Sequence, residues 1–190
     1  MKSFAIVVSL LGIGVSLSCA AGEGNASQPL KYDNQKCHYS FSYPANWRIA
    51  PNPIYVKSQC AVTLRPKDFD DRIKREENVD TYTLVVDSVE GGFEKGATAV
   101  GFEKDDKGQW IGFESEDTEK IQRGSSLGLR GTFPWRYYSE GGEGGYAGMG
   151  ENPRAFLTDG KQSVTLNGYA QSEDAFDMVF NTIKVEQALQ

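Results

Sequence analysis

The chain has 190 residues, enough to bury one core without metals or many disulfides, and its 39% hydrophobic and 24% charged residues are ordinary globular usage. That composition argues against a disordered or membrane-embedded class. The formal charge of −6 argues against a sequence-independent hold on nucleic acid, which needs clustered Lys and Arg, so no nucleic-acid partner is expected.

At the start, Phe4 to Leu17 form an uncharged apolar run behind Lys2, and small residues follow at Ser18, Cys19, Ala20 and Ala21. This is the pattern of a secretory signal, expected over residues 1–21, and the run is shorter than the roughly 20 residues that span a bilayer as a helix. Cleavage after Ala21 satisfies a small-x-small rule through Cys19 and Ala21. Ser16-Leu17-Ser18-Cys19 is an imperfect match to a bacterial lipobox, which usually carries Leu where Ser16 stands. A signal ending before Cys19 makes that residue a candidate lipidation site and membrane attachment. Residues 22–36 then read as a flexible linker. The expected location is exported, in the periplasm or cell envelope, with release into the medium as the alternative.

Of the three cysteines, Cys19 falls in the processing region and leaves Cys37 and Cys60 for the folded part. An oxidising compartment favours bridging them, for about 3 kcal/mol on a chain-entropy account; the other reading is a pair of buried free thiols.

Tyr39 to Tyr43 alternates aromatic and small polar residues, the period of a half-buried strand, and Pro44 ends it. Trp47 to Ile49 and Ile54 to Val56 flank a turn-rich segment with Pro51 and Pro53, so a hairpin is expected. Cys60 to Leu64 follows as a third strand, and three neighbouring strands would bring Cys37 near Cys60. Asp68 to Asn78 is charge-dense, a solvated helix or an extended loop. Thr81 to Val89 is a clear strand, broken by Gly91-Gly92. Further strands are expected at Gln109 to Glu114, Leu127 to Tyr138, Ala155 to Thr158 and Ser163 to Ala170, with turns at Asp105 to Gly108 and Asp159 to Lys161. The chain closes on a helix that Ser172 can cap, with Phe176, Val179, Phe180 and Ile183 on one face that should pack on the sheet.

The run Tyr39-Ser40-Phe41-Ser42-Tyr43-Pro44-Ala45-Asn46-Trp47-Arg48-Ile49 resembles the opening motif, aromatic-x-aromatic then Tyr-Pro-x-x-Trp, of the PsbP-like superfamily. That superfamily includes the photosystem extrinsic P protein and DcrB-type bacterial lipoproteins. The closing helix, Phe176 to Val185, is similar to its last element. The resemblance implies a single α+β domain over residues 37–187, a twisted, mostly antiparallel sheet flanked by helices, and a role in binding or assembly more often than catalysis. It carries over no ligand or metal residues.

Gly124-Ser125-Ser126-Leu127-Gly128 satisfies the G-x-S-x-G hydrolase pattern, but a strand follows where that motif needs a helix, and the chain's sole histidine, His38, precedes the serine. Cys37-His38 suggests a thiol and base, yet neighbours on a strand point to opposite faces, and His38 reads as a strand-edge residue. One histidine and two separated cysteines lack the short paired spacings of a zinc site. Acidic residues gather at Asp68, Asp70 and Asp71 and at Glu114, Glu116, Asp117 and Glu119, without the spacing of a calcium loop. No metal and no cofactor are expected.

The unusual segment is Phe133 to Tyr138, followed by six glycines between Gly141 and Gly150 around Tyr146 and Met149. Strand alternation sends Phe133, Trp135 and Tyr137 to one face and Arg136 and Tyr138 to the other. Arg136, Tyr138 and Tyr146 are therefore the candidate ligand- or partner-binding residues, against the alternative of a long hairpin with a flexible tip. The expected function is an exported, non-catalytic protein that binds a partner protein or small ligand in the cell envelope. The alternatives are a secreted hydrolase using Ser126 and a released effector or surface protein.

Overall fold

The computed structural model describes residues 28–75, 82–112, 117–138, 146–169 and 172–186, with the backbone alone for 135–138 and 146–150. The expected leader with Cys19 and most of the glycine-rich segment lie outside the described residues. In chain order the first elements are β1 (Leu30–Asn34), β2 (Tyr39–Tyr43), β3 (Trp47–Ala50), β4 (Val62–Pro66), α1 (Phe69–Lys74), β5 (Leu84–Glu90) and α2 (Phe93–Val100). Then come β6 (Phe102–Lys104), β7 (Trp110–Gly112), β8 (Glu119–Arg123), β9 (Ser126–Tyr138), β10 (Tyr146–Thr158), β11 (Gln162–Gly168), α3 (Glu173–Thr182) and β12 (Lys184–Val185).

Seven strands make one sheet in the order β3-β4-β5-β11-β10-β9-β8, every neighbouring pair antiparallel. A three-stranded sheet, β1-β2-β12, and the β6-β7 pair complete the strands. The fold is α+β, a mostly antiparallel sheet flanked by helices. Because residues alternate between faces, each strand of the large sheet contributes to two different layers.

The first layer is apolar. Leu64, Leu84, Val86, Val164, Leu166, Ala155 and Leu157 meet Phe176, Val179 and Phe180 of α3 and the buried aromatic row Tyr39, Phe41 and Tyr43 of β2. Here the period-2 reading of Tyr39–Tyr43 and the one-sided reading of the last helix both hold. Arg130 ties the sheet to α3 through Asp177 at 2.6 Å. Ser172 does not cap α3: its buried hydroxyl accepts from the Tyr169 N–H and donates to the Tyr169 carbonyl, tightening the turn before the helix.

The second layer is covered by α2 and the β6-β7 pair, with Ala97, Val100, Phe102, Leu129, Phe133 and Phe156 in contact. No helix was expected between Gly91-Gly92 and Gln109, since eight residues carry too few apolar positions to announce one. Gly96 lets α2 lie directly on the sheet: a Cβ there would stand 2.5 Å from Phe156 and 2.6 Å from the Ser163 hydroxyl. Gly101, at φ 93°, ends the helix in the left-handed conformation.

Several expectations are corrected. The linker expected through Lys36 gives way at Leu30 to β1, which pairs with β2 from Leu30 opposite Tyr43 to Asn34 opposite Tyr39. Ile54–Val56 is not a strand. Pro51 and Pro53 remove two donors, the Val56 N–H closes a turn onto the Pro53 carbonyl, and β3 pairs with β4 instead. The strand expected from Cys60 begins at Val62. The β10 strand starts at Tyr146, long before Ala155, because β9 supplies a partner along its whole length. Cys37 and His38 lie in the β1–β2 turn and not on a strand; His38 takes φ 52°, and its carbonyl accepts the Glu186 N–H.

Cys37 and Cys60 are bridged, with their Cα atoms 5.7 Å apart. The three-strand route foreseen for this contact is not the one taken, since β2 belongs to the small sheet and β3 and β4 to the large one. The bridge therefore joins the small sheet to the segment before β4, and Tyr39 reinforces it by donating its hydroxyl to the Cys60 carbonyl at 2.5 Å. Burial pushes the Tyr39 phenol well above its ordinary pKa, with the Tyr32 phenol adding in the same direction.

Candidate functional site

The residues singled out from sequence sit at the outer end of the β9–β10 ribbon. Tyr138 stands opposite Tyr146 and Arg136 opposite Met149, with a register irregularity between Tyr146 and Gly148. Their side chains lie outside the described residues. Ser126 opens β9 opposite Arg123, after a Gly124-Ser125 turn that joins strand to strand. This is not the strand-to-helix elbow that exposes a nucleophile, and His38 belongs to the turn of another sheet. Asp68, Asp70 and Asp71 each hold a cation, Arg72, Arg48 and Lys74 respectively.

The built site lies elsewhere, on the half of the second layer that α2 leaves uncovered. Register puts Asp87 of β5 opposite Thr165 of β11, Val85 opposite Asn167, and Asn167 opposite Arg154 of β10, with Asn152 two residues further along. Paired residues share a face, so these side chains form one floor. The segment Tyr55 to Ser58 makes one wall and Ala99 of α2 reaches the opposite one, enclosing an open cleft of about 350 Å³.

Polarity is what distinguishes this floor. Thr165 and Asn152 are buried in it and Thr63 of β4 is buried beside it, where the same strands place Leu or Val on the other face. The wall is pinned to the floor by Ser58, whose hydroxyl donates to Asp87 Oδ1 at 2.7 Å, and Thr63 beside the floor donates to Asn52, earlier in the same loop. The Cys37–Cys60 bridge anchors the same segment two residues after Ser58.

Arg154 closes the far end. Its Nη1 donates to the Val100 carbonyl at the C-terminus of α2, where a cation complements the helix dipole, and its guanidinium stacks on Phe133 at 4.6 Å. Burial holds the Arg154 guanidinium below the ordinary arginine pKa, with the Tyr169 phenol opposing. Asn152, 8% exposed, has a buried Oδ1 with no hydrogen-bond partner. A native interior rarely leaves such an acceptor unpaired, which sets Asn152 apart from the other lining residues.

A larger hollow of about 590 Å³ lies between the β3–β4 end of the sheet and α3. Two of its charges, Arg72 and Asp68, pair at 2.9 Å, with Arg72 also over the Tyr82 ring at 4.3 Å, and the other two, Lys67 and Asp174, are exposed to water. The smaller cleft is the one with unmet hydrogen-bonding capacity.

Sequence reading missed this floor because its members are spread over β5, β10 and β11, up to about 80 residues apart. The available signal was polar residues on the strands Thr81–Val89 and Ser163–Ala170 that recur at every second position, Asp87 in one and Ser163, Thr165 and Asn167 in the other.

No protein-family model matches the chain, and no curated protein matches it. Among solved structures it is similar to the solution structure of cyanobacterial PsbP (CyanoP) from Synechocystis sp. PCC 6803, at TM-score 0.48 and 16% identity over 89% of this chain and 98% of that one. It is also similar to a crystal structure from Bacteroides thetaiotaomicron VPI-5482, at TM-score 0.47 and 12% identity over 83% of this chain and 48% of the other. The chain thus spans about half the length of the Bacteroides protein. The first neighbour belongs to the superfamily that Tyr39 to Ile49 resembles; both likenesses are weak and neither assigns an activity.

Proposed function

We propose that this chain is an exported, non-catalytic binding protein whose ligand, a small polar molecule, sits in the cleft floored by Asp87, Asn152, Arg154, Thr165 and Asn167. The observation that carries this reading is an open cleft in which Arg154 and Asp87 each lack an ion-pair partner among the described residues. A cleft of this volume falls at the lower end of small-ligand sites. Export is supported by the Cys37–Cys60 bridge, a form that persists in oxidising compartments, together with the apolar leader pattern. The periplasm or envelope is the preferred location, with Cys19 as the tether if it is lipidated. The non-catalytic reading is supported by the separation of Ser126, at the start of β9 in the large sheet, from His38, in the turn between β1 and β2 of the small one.

Native mass spectrometry on protein purified gently from its own host tests the cleft. The parent should carry a small molecule at near one-to-one stoichiometry, and Asn152→Phe, which fills the cleft, should lose it. Parent protein that emerges empty, and that no polar metabolite stabilises in thermal-shift screens, would remove the reading.

A second reading keeps Arg136, Tyr138 and Tyr146 as a partner-docking surface. It is favoured by the strand pairing: Gly131–Tyr138 and Tyr146–Pro153 pair only with each other among the described strands, which leaves backbone edges available for strand addition. Tyr138→Ala combined with Tyr146→Ala should abolish recovery of a partner that the parent retains after cross-linking in the envelope; unchanged recovery counts against it.

A further inference from the structure

We propose that the ligand of the cleft is a short peptide-like zwitterion, bound with its carboxylate on Arg154 and its ammonium group at Asp87. This rests on the cleft being the binding site, and it adds the chemistry of the occupant.

The first argument is charge. Arg48, Arg72 and Arg130 each hold a carboxylate, whereas Arg154 joins no ion pair among the described residues. Only its Nη1 is committed, to Val100, and the remaining N–H groups of the planar fork suit a carboxylate. Asp87 likewise joins no ion pair among the described residues. Both donors that reach it, the Ser58 hydroxyl and the Ser88 N–H, fall on Oδ1 at 2.7 Å, and Oδ2 stays available for an incoming donor. Lys57, also in the lining, is exposed at the rim and screened by water. A simple anion would meet Asp87 unfavourably and a simple cation would meet Arg154. A neutral polyol would leave both charges unpaired.

The second argument is length. Asp87 and Arg154 lie two strand spacings and one two-residue step apart, which places their Cα atoms about 12 Å from each other. The amino nitrogen and carboxyl carbon of a free amino acid are only about 2.5 Å apart, too close to reach both groups. An extended tripeptide separates its ends by about 10 Å and spans the floor.

The third argument is what lies between. Thr165 and Asn167 occupy the path from one charge to the other, and the Asn167 side chain makes no hydrogen bond to a described residue. A peptide presents both N–H and C=O groups along its length. It therefore offers partners for Asn167 along the cleft floor.

The test is an amide NMR titration of the folded, oxidised protein with triglycine, triglycine amide, acetyl-triglycine and glucose. Triglycine should shift the amides of residues 85–87, of Asn152 and Arg154, and of residues 165–167 saturably. Each end-blocked peptide should bind at least about tenfold more weakly, the loss of one charge-assisted hydrogen bond. Arg154→Gln should bring triglycine down to the affinity of its amide, and Asp87→Asn should bring it down to that of acetyl-triglycine. Preserved amide dispersion in both variants confirms that they fold.

Equal affinity for blocked and unblocked peptides would overturn the charge pairing. Glucose shifting these amides where triglycine does not would overturn the zwitterion and leave the cleft standing. Silence from all four probes also overturns the zwitterion, while the co-purification experiment judges the cleft by itself.

Discussion

On one face of the seven-stranded sheet Leu64, Leu84, Val86, Val164 and Leu166 are sealed against α3 and the aromatic row of β2. On the other face of the same strands stand Thr63, Val85, Asp87, Thr165 and Asn167, most of them lining the cleft. Burying a large apolar side chain stabilises by about 1.5–3 kcal/mol, whereas a buried hydroxyl or amide contributes only when its hydrogen bonds are met. The contrast therefore separates what holds the molecule together from what it can use for recognition. The sealed face supplies rigidity, and the open face carries polar groups whose satisfaction the fold leaves incomplete.

The largest expected effect comes from attacking the sealed face. Phe176 is fully buried and stacks on Phe180 with ring centroids 6.1 Å apart. Phe176→Ala is expected to cost about 3–5 kcal/mol in urea unfolding. Thr165→Val, on the open face, gives up only the long 3.4 Å hydrogen bond from the Thr165 hydroxyl to the Asp87 carbonyl and should cost about 1 kcal/mol. Comparable losses for the two would break the distinction between the faces.

Next in size is the bridge. Reducing Cys37–Cys60, or replacing both residues with Ser, should cost about 3 kcal/mol by releasing a 23-residue separation in the unfolded chain. Its local consequence falls on the open face, because Tyr55 to Ser58 form the cleft wall just before Cys60. Hydrogen exchange at Val56 and Ala61, whose amides close turns on the Pro53 and Ser58 carbonyls, should quicken on reduction while the amides of Val164 and Leu166 stay protected. Uniform acceleration would show that the wall is no looser than the core.

Gly96→Ala probes the helix that divides the open face. A methyl there meets Phe156 at 2.5 Å and Ser163 at 2.6 Å, so α2 must lift from the sheet, at a cost of about 1–3 kcal/mol. Because Ala99 of α2 borders the cleft, the same variant should also alter ligand binding, and a neutral result in both stability and binding would mean that the helix is not held as closely as its glycine implies.

These differences explain which features were legible in the sequence. The sealed face announces itself by period: Tyr39, Phe41 and Tyr43 at every second residue, and Phe176, Val179, Phe180 and Ile183 at helical spacing, are each local patterns. The parity of the cysteines likewise led to the Cys37–Cys60 bridge, with free thiols as its alternative. β1 was missed because Leu30–Asn34 has little apolar content and gains its strand form by pairing with β2. α2 was missed because its closeness to the sheet depends on a glycine, which propensity counts against a helix. The cleft could not be read because its floor is assembled by register between β5, β11 and β10, and a single-residue slip would send Asp87, Thr165 and Asn167 to the opposite face.

The smallest expected effect is also the most discriminating. Asn152 lies opposite Phe133 on a buried stretch of β10, and its Oδ1 has lost water without gaining a donor. An unpaired buried acceptor costs about 1–3 kcal/mol, so Asn152→Leu, close in size and free of that penalty, should raise the stability of the ligand-free protein by up to about 1 kcal/mol. The same change should abolish binding in the cleft, which is the pattern of a residue kept for recognition at the expense of stability. Paired urea-unfolding and ligand-titration measurements on this one variant check both halves. Destabilisation beyond about 1 kcal/mol would mean that the fold itself satisfies the amide, and the open face would then be only a second, more polar core.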